Sequence, residues 1–243
     1  MFSGTVLQMS ASKKDKDCKP SVQSCDLCPT RQDSWLCSHA EAVALIDKAR
    51  VTCHYLKDQT IFRAGSTPMG LFSLQSGLVK LEINSENGAA HTLRIHGPGD
   101  VLGYRSLLAN ENYHASAVAL EDVTACYVPK TEILKIFSQY PEVAMRLMEH
   151  LSKDLRMAEE KWVDQMDKGA TSRVAEAVLF LNDHFDHEHW TRREIAQWAG
   201  TTPETVMRTL SQFEKDGLID QSQRHIKILD RPSLEEKSKE KLR

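Results

Sequence analysis

Hydrophobic and polar positions change their period three times along this chain. Up to Ser24 the residues are polar and lysine-dotted with no apolar rhythm, which predicts a disordered tail. A short helix is expected over residues 40–49. Apolar residues then recur in brief β-type runs at Gln59–Arg63, Gly70–Gln75, Leu78–Ile83, Ala90–Ile95, His114–Leu120 and Ala125–Val128. Turn signals at Ala64-Gly65, Ser76-Gly77, Asn87-Gly88 and Gly97-Pro98-Gly99-Asp100 part them. Runs of this length and spacing predict an antiparallel sandwich or roll.

From Pro141 to about Asp167 the period becomes helical. Ala144, Met148, Leu151, Leu155, Ala158 and Trp162 follow one another at alternating spacings of four and three, the seam of a long helix that pairs with its own copy. A helix packed only on its own domain would carry a wider apolar face. Here the flanks hold Arg146, Glu149, Lys153, Asp154, Glu159 and Lys161. Gly169 then marks a hinge, and residues 173–182 form an apolar helix.

Two short helices joined by a tight turn follow. Thr191 with Glu194 makes a capping box, and Ile195, Ala196 and Ala199 share one side before Gly200 breaks the helix. Thr202 caps the next, with Pro203 at its first position, and Val206, Leu210 and Phe213 form its apolar stripe up to Gly217. This is a helix-turn-helix. Its second helix turns Glu204, Met207, Arg208 and Ser211 outward near the end that meets base edges in a major groove. Arginine donates twice to guanine, and a carboxylate accepts from cytosine N4. An isolated Glu-x-x-x-Arg is more often a surface ion pair, but the capped two-helix setting favours base reading. Arg192, Arg193 and Thr205 are candidates for phosphate contacts, and Thr202 at the helix start joins the same interface. Residues 218–229 alternate around the polar turn Gln221–Arg224 and predict a β-hairpin wing. The end from Pro232 to Arg243 reads as a charged, solvated tail.

Composition adds a boundary to this picture. With 243 residues, 41% hydrophobic and 27% charged, the chain has room for two domains with full-sized cores. Its net charge of -3 is unusual for a DNA-binding protein. From Trp190 to Leu229 six Lys/Arg oppose five Asp/Glu, so binding has to rely on placed contacts more than on bulk attraction. No apolar run approaches the roughly 20 residues that span a bilayer, and no signal-peptide core opens the chain. A cytoplasmic protein with no membrane partner is expected.

Of six cysteines, four lie within the first 37 residues. In a reducing compartment, crowded cysteines are more often metal ligands or redox centres than disulfides. In CDLCPTRQDSWLC, the two-residue gap between Cys25 and Cys28 lets both thiolates reach one metal centre, with Cys37 following after a gap of eight residues. Three ligands do not close a tetrahedral site. Cys53 and Cys126, each taken alone, read as small buried residues.

A β-roll, a long helix and a winged helix-turn-helix in that order resemble the cyclic-AMP receptor protein and fumarate-nitrate reduction regulator (CRP/FNR) superfamily of bacterial transcription factors. The resemblance spans about Leu45 to Leu229. It is carried by GPGDVLGY (Gly97–Tyr104), TACYVP (Thr124–Pro129) and TTPETVMRTLSQFEKDGLI (Thr201–Ile219), in which Glu204 and Arg208 match the family's base-reading pair. It implies an α+β fold: an N-terminal antiparallel β-roll (a cupin-like jelly roll), a long dimerisation helix and a C-terminal winged helix-turn-helix. The implied organisation is a cysteine-containing arm over 1–38, a roll over 39–140, a dimerisation helix over 141–168 and a DNA-binding domain over 169–243.

Nucleotide-binding members carry a Gly-Glu pair for the ribose and an Arg-Ser or Arg-Thr for the cyclic phosphate. Here the first reads Gly103-Tyr104, and the second reads His114-Ala115-Ser116-Ala117 with no arginine. A buried phosphate charge would go unpaired, which argues against cyclic AMP. The oxygen-sensing branch holds a [4Fe-4S] cluster on three N-terminal cysteines and a fourth on the roll, where Cys126 falls. The resemblance thus implies Cys25, Cys28, Cys37 and Cys126 as ligands, although the eight-residue gap before Cys37 is longer than in the best-known member. It further implies a homodimer, a two-fold symmetric site in double-stranded DNA with TGA-containing half-sites, and RNA polymerase as a partner. Met207 departs from the serine common in that branch. In the oxygen sensor, cluster assembly drives dimerisation. The uninterrupted apolar seam here predicts instead a dimer that persists without the cluster and switches at the Gly169 hinge.

Two other readings remain open. A structural zinc would also suit the thiolates, with a small-molecule effector in the roll. A thiol redox enzyme built on Cys25 and Cys28 would need a βα unit after the pair and an accompanying His/Asp constellation, and the sequence offers neither. No enzyme is expected.

Overall fold

The computed structural model describes residues 17–20, 24–86, 88–185, 190–221 and 225–242. Strand β1 (Asp17–Pro20) leads into an arm with two 3₁₀ turns, Cys25–Leu27 and Trp35–Cys37, and then helix α1 (Ala40–Ala49). The roll follows as β2 (Val51–Tyr55), β3 (Thr60–Phe62), β4 (Gly70–Ser76), β5 (Val79–Asn84), β6 (Ala90–His96), β7 (Val101–Leu102), helix α2 (Tyr104–Ala109), β8 (Ser116–Ala119) and β9 (Val123–Pro129). Helices α3 (Lys130–Gln139), α4 (Pro141–Asp167), α5 (Ala170–His184), α6 (Arg192–Ala199) and α7 (Pro203–Lys215) lead to β10 (Ile219–Asp220), β11 (Lys227–Ile228) and α8 (Arg231–Lys239).

The α+β architecture is the expected one. All strand pairs are antiparallel, in a five-stranded sheet ordered β1-β2-β9-β4-β7 and a four-stranded sheet ordered β3-β8-β5-β6. Their facing sides bury Tyr55, Ile61, Phe72, Leu74, Val79 and Val123. At the turn between β4 and β5, Gly77 has φ +83°, and a Cβ there would lie 2.5 Å from the Asp122 carbonyl, so only glycine fits.

The outer face of the larger sheet is closed by the arm, α1, α3 and the first half of α4, which bury Leu36, Val43, Ile46, Ile133, Ile136, Val143 and Leu147 against Leu71, Val101 and Val128. A separate core joins α5, α6, α7 and α8 through Val174, Val178, Leu181, Ile195, Val206, Leu210 and Phe213. Ile95 of β6 packs against that core, so the helix-turn-helix unit rests on the roll.

Several expectations are corrected. The stretch up to Ser24 is not all unstructured. Asp17–Pro20 forms β1 on the edge of the larger sheet, and Cys18 is disulfide-bonded to Cys53, its cross-strand partner on β2. Cys53 is therefore half of a cross-link and not merely a small core residue. Residues 1–16 and 21–23 lie outside the described residues. The strand β2 went unread because its alternation, Val51, Cys53 and Tyr55, depends on counting a cysteine as apolar. The helix α2 is too short to show a period, and α3 merges into the pattern of α4. The C-terminal end is not a solvated tail. Asp230 caps α8 by accepting the Ser233 N–H at 3.2 Å, Leu234 is 0% exposed, and Arg231 donates to both Asp183 carboxylate oxygens at 2.6 Å.

Asp154 also differs from expectation. It lies not on an exposed flank but buried at 4% exposure, facing the roll. The seam residues Met148, Leu155, Ala158 and Trp162 point away from it and are exposed in the single chain, with Ala144 and Leu151 half-buried.

Candidate functional site

The arm and β9 bring the four free cysteines to the outer face of the larger sheet. Cys25 opens the first 3₁₀ turn, where the Ser24 hydroxyl accepts from Asp26 N–H, and Cys37 closes the second. Cys126 comes from β9, opposite Thr52 of β2 and Ser73 of β4. The charges are close enough to be felt between them: those of Cys28 and Cys126 act on Cys37, and that of Cys28 acts on Cys126.

Each thiol has protein contacts. Arg50 Nη1 donates to Cys126 Sγ at 3.1 Å, Cys28 Sγ is 3.5 Å from the Thr30 hydroxyl, and Gln75 Nε2 donates to Cys28 Sγ at 3.8 Å. Burial and then a hydrogen bond to Asp47 push the Cys25 thiol up to about 12. Burial, and then the charges of Cys28 and Cys126, push Cys37 up to about 11. Burial also raises Cys126, against the opposing pull of Arg50. A metal centre takes thiolates as ligands, so it would displace thiol protons on binding. Among the described residues no three His, Cys, Asp or Glu side chains are arranged to hold a metal ion. Cys25, Cys28, Cys37 and Cys126 are gathered but not converged.

Cys28 and Cys37 line a polar groove of about 880 Å³ between the arm and α4, with Arg31, Arg146, His150 and Lys153 also on its walls. Trp35, two residues before Cys37, packs edge-on to Tyr104 with ring centroids 6.0 Å apart and lies 6.5 Å from His150 of α4. Its indole N–H is buried and finds no acceptor among the described residues. The Tyr104 hydroxyl in turn donates to the Asp154 carboxylate, which also pairs with Arg94. A continuous path of side chains therefore runs from the cysteine arm to the long helix. Sequence reasoning missed Asp47, Arg50, Trp35 and Arg94. Only Tyr104, standing where relatives carry glutamate, gave a signal.

In the C-terminal unit the helix-turn-helix is built as its caps predict. Thr191 and Glu194 form a reciprocal capping box on α6, and Gly200 ends it at φ +62°. The Thr202 hydroxyl accepts the Thr205 N–H at 3.3 Å to start α7. Glu204, Met207, Arg208 and Ser211 are exposed, while Val206, Leu210 and Phe213 are buried. Among the described residues neither Glu204 nor Arg208 enters an ion pair. Hydrogen bonds from its own backbone N–H and from Thr202 hold the Glu204 carboxyl below its usual range. Arg193 is exposed, and Arg192 donates to the Gln221 side chain beside the wing. Strands β10 and β11 pair antiparallel, and residues 222–224 of the expected wing turn lie outside the described residues.

The sequence profile of a cyclic nucleotide-binding domain matches residues 52–140, and that of a Crp-like helix-turn-helix domain matches residues 172–237. Electron transport regulator A of Shewanella oneidensis is 27% identical over 187 residues, covering 73% of this chain and 74% of that protein. The fumarate and nitrate reduction regulatory protein of Escherichia coli is 26% identical over 188 residues, with 73% and 74% covered. A solved CRP/FNR-family transcriptional regulator from Thermus thermophilus superimposes with a TM-score of 0.68 at 26% identity, over 79% of this chain and 100% of that one. The chain belongs to the CRP/FNR family.

As a CRP/FNR regulator it is a DNA-binding transcription factor, and α6 and α7 are its helix-turn-helix. The family's regulators form homodimers, and α4 of this chain carries an exposed apolar stripe that includes Met148, Leu155 and Trp162. Among the described residues no helix is long and apolar enough to cross a membrane.

Proposed function

We propose that this CRP/FNR regulator senses oxygen, or nitric oxide, through a [4Fe-4S] cluster held by Cys25, Cys28, Cys37 and Cys126. The observation that carries the reading is that four free cysteines come from the arm and β9 to one face of the roll, where the buried Arg50 guanidinium donates to Cys126. A cluster with four thiolate ligands is anionic, and the site already holds a cation and a buried indole donor without an acceptor. Four thiols are the donor set that such a cluster takes, and closing them on it would require the arm cysteines to converge on Cys126. When bound, the cluster supplies a centre that oxygen degrades. The chain's own part is to supply thiolates, to screen them with Arg50, and to relay the arm's position through Trp35, Tyr104 and Asp154 to α4.

A cyclic nucleotide is the less favoured effector. Tyr104, at the position of the ribose-binding glutamate, is committed to Asp154, and Arg94 is committed to the same carboxylate. No arginine follows His114, where Ala115 is buried. A structural zinc would suit the same thiolates and predicts a colourless protein.

In this reading the units are the arm (1–38), roll (39–140), dimer helix (141–168) and reader (169–243). Two copies pair through Ala144, Met148, Leu151, Leu155, Ala158 and Trp162 in the cytoplasm. Arg208 and Glu204 read the guanine and the opposing cytosine of TGA half-sites, Met207 meets a flanking apolar feature such as a thymine methyl, and Thr202, Thr205, Arg192 and Arg193 meet phosphates. RNA polymerase is the downstream partner.

Anaerobic purification tests this directly. The protein is expected to be brown, to contain iron and sulfide, and to bleach in air, and Cys126→Ser is expected to lose both elements while remaining folded. A colourless protein containing zinc, or wild-type iron content in Cys126→Ser, would overturn the ligand assignment.

A further inference from the structure

The Arg50 side chain stands out among the buried polar groups. It is 5% exposed as a residue, at the junction of α1 and β2. Its Nε and Nη2 donate to Asp47 Oδ1 at 3.0 and 2.9 Å, while Nη1 reaches Cys126 Sγ at 3.1 Å and the Thr52 hydroxyl at 3.5 Å. The same Asp47 oxygen accepts the Cys25 backbone N–H at 3.0 Å, and its other oxygen accepts from Ser24 at 3.2 Å. One ion pair therefore touches the arm through its carboxylate and β9 through its guanidinium.

Burying a guanidinium is expensive unless it is paired and its donors are satisfied. Asp47, whose side chain is 33% exposed, answers one edge of the guanidinium. The Nη1 edge faces sulfur. A neutral thiol is a weak acceptor, whereas a thiolate is a strong one, so this edge gains most when Cys126 is charged. Hydrogen bonds and positive charge at ligand sulfurs favour the more negative, reduced state of an iron-sulfur centre.

We infer that Arg50, fixed by Asp47, is a positioning residue that donates to the Cys126 sulfur and sets the reduction potential and air lifetime of the metal centre. The inference rests on the cluster reading above. It adds a residue outside the cysteine set and separates two roles within one ion pair: Asp47 anchors the arm at Cys25, and Arg50 screens charge at Cys126.

The test uses full-length protein reconstituted anaerobically, with wild type, Arg50→Met and Arg50→Lys compared by iron and sulfide content, redox titration of the visible spectrum, and the decay of that spectrum in air. Arg50→Met is expected to bind iron and sulfide at near wild-type levels. At a fixed poise its reduced-to-oxidised ratio should fall about tenfold, equivalent to about 59 mV for a one-electron couple. Its colour should be lost several-fold faster in air, and Arg50→Lys should fall between the two. A fully loaded Arg50→Met with the wild-type potential would reduce Arg50 to an ordinary structural ion pair and overturn the inference. If Arg50→Met does not fold, Arg50→Lys decides: a potential shifted to the negative side supports the inference, and one equal to wild type overturns it. Wild-type protein that takes up no iron at all would instead sink the cluster reading, and this inference with it.

Discussion

The Lys161 ammonium lies 3.9 Å from the centroid of the Trp198 indole, joining the end of α4 to α6 of the reader unit. Around this contact, Lys80 donates to Gln197 at 3.2 Å, and Arg173 donates to the Ala199 carbonyl at 2.9 Å. Reader, long helix and roll are thus held together by cations placed on apolar and polar surfaces of one short helix.

Burial pushes Lys161 down to about 8, against the pull of Glu176. Between pH 8 and the usual lysine value near 10.4, the unfolded chain holds a proton that the folded chain has shed. Folding stability attributable to Lys161 therefore rises with pH across that window and is flat below it. The difference in unfolding free energy between wild type and Lys161→Met, followed by denaturant titration, should move in favour of wild type from pH 8 to 10. A difference that stays constant over that range would show that Lys161 titrates normally.

The Cys18–Cys53 bond predicts a thiol count. Protein denatured without reductant should show four reactive thiols, rising to six after reduction. Neither partner is in the proposed ligand set, so Cys18→Ser and Cys53→Ser should keep wild-type iron. Loss of iron in Cys18→Ser would mean that fastening β1 to β2 is needed to present Cys25 and Cys28.

For the DNA interface, Arg208→Ala should weaken binding to a TGA-containing site by roughly 1–3 kcal/mol and relax selectivity at the guanine. Arg193→Ala should weaken all sites alike and lower the salt slope by about one. Selection from a random duplex pool checks both, and enriched half-sites without TGA would remove Glu204 and Arg208 from the reading pair.

The unpartnered side of α4 predicts the assembly. Leu155 and Trp162 are 61% and 67% exposed in the single chain, and Asp154, turned into the roll, adds no charge between two such helices. The cluster-free protein should therefore sediment as a dimer at micromolar concentration, and Leu155→Glu should make it monomeric. A wild-type apo-protein that is monomeric and dimerises on reconstitution would contradict this.

The sequence made the capped and periodic parts of this molecule legible. Thr191, Glu194, Thr202 and Pro203 fix the helix-turn-helix through local hydrogen bonds, so their spacing alone was enough. The apolar seam of α4 was equally plain. What escaped were features made by distant residues meeting. Arg50 and Cys126 are 76 positions apart, and Tyr104 and Asp154 are 50 apart, so nothing local marks them as partners. Asp154 was misread because helical spacing tells which residues share a face but not which face turns inward. The tail escaped because α8 docks through one buried leucine, Leu234, too little to raise a period.

Asp154 stands thirteen residues from each end of α4, Pro141 and Asp167. At 1.5 Å per residue that makes two arms of about 20 Å each. Tyr104 and Arg94 therefore clasp this helix at its midpoint, equidistant from the end packed beside the cysteine arm and the end that leads into the reader unit.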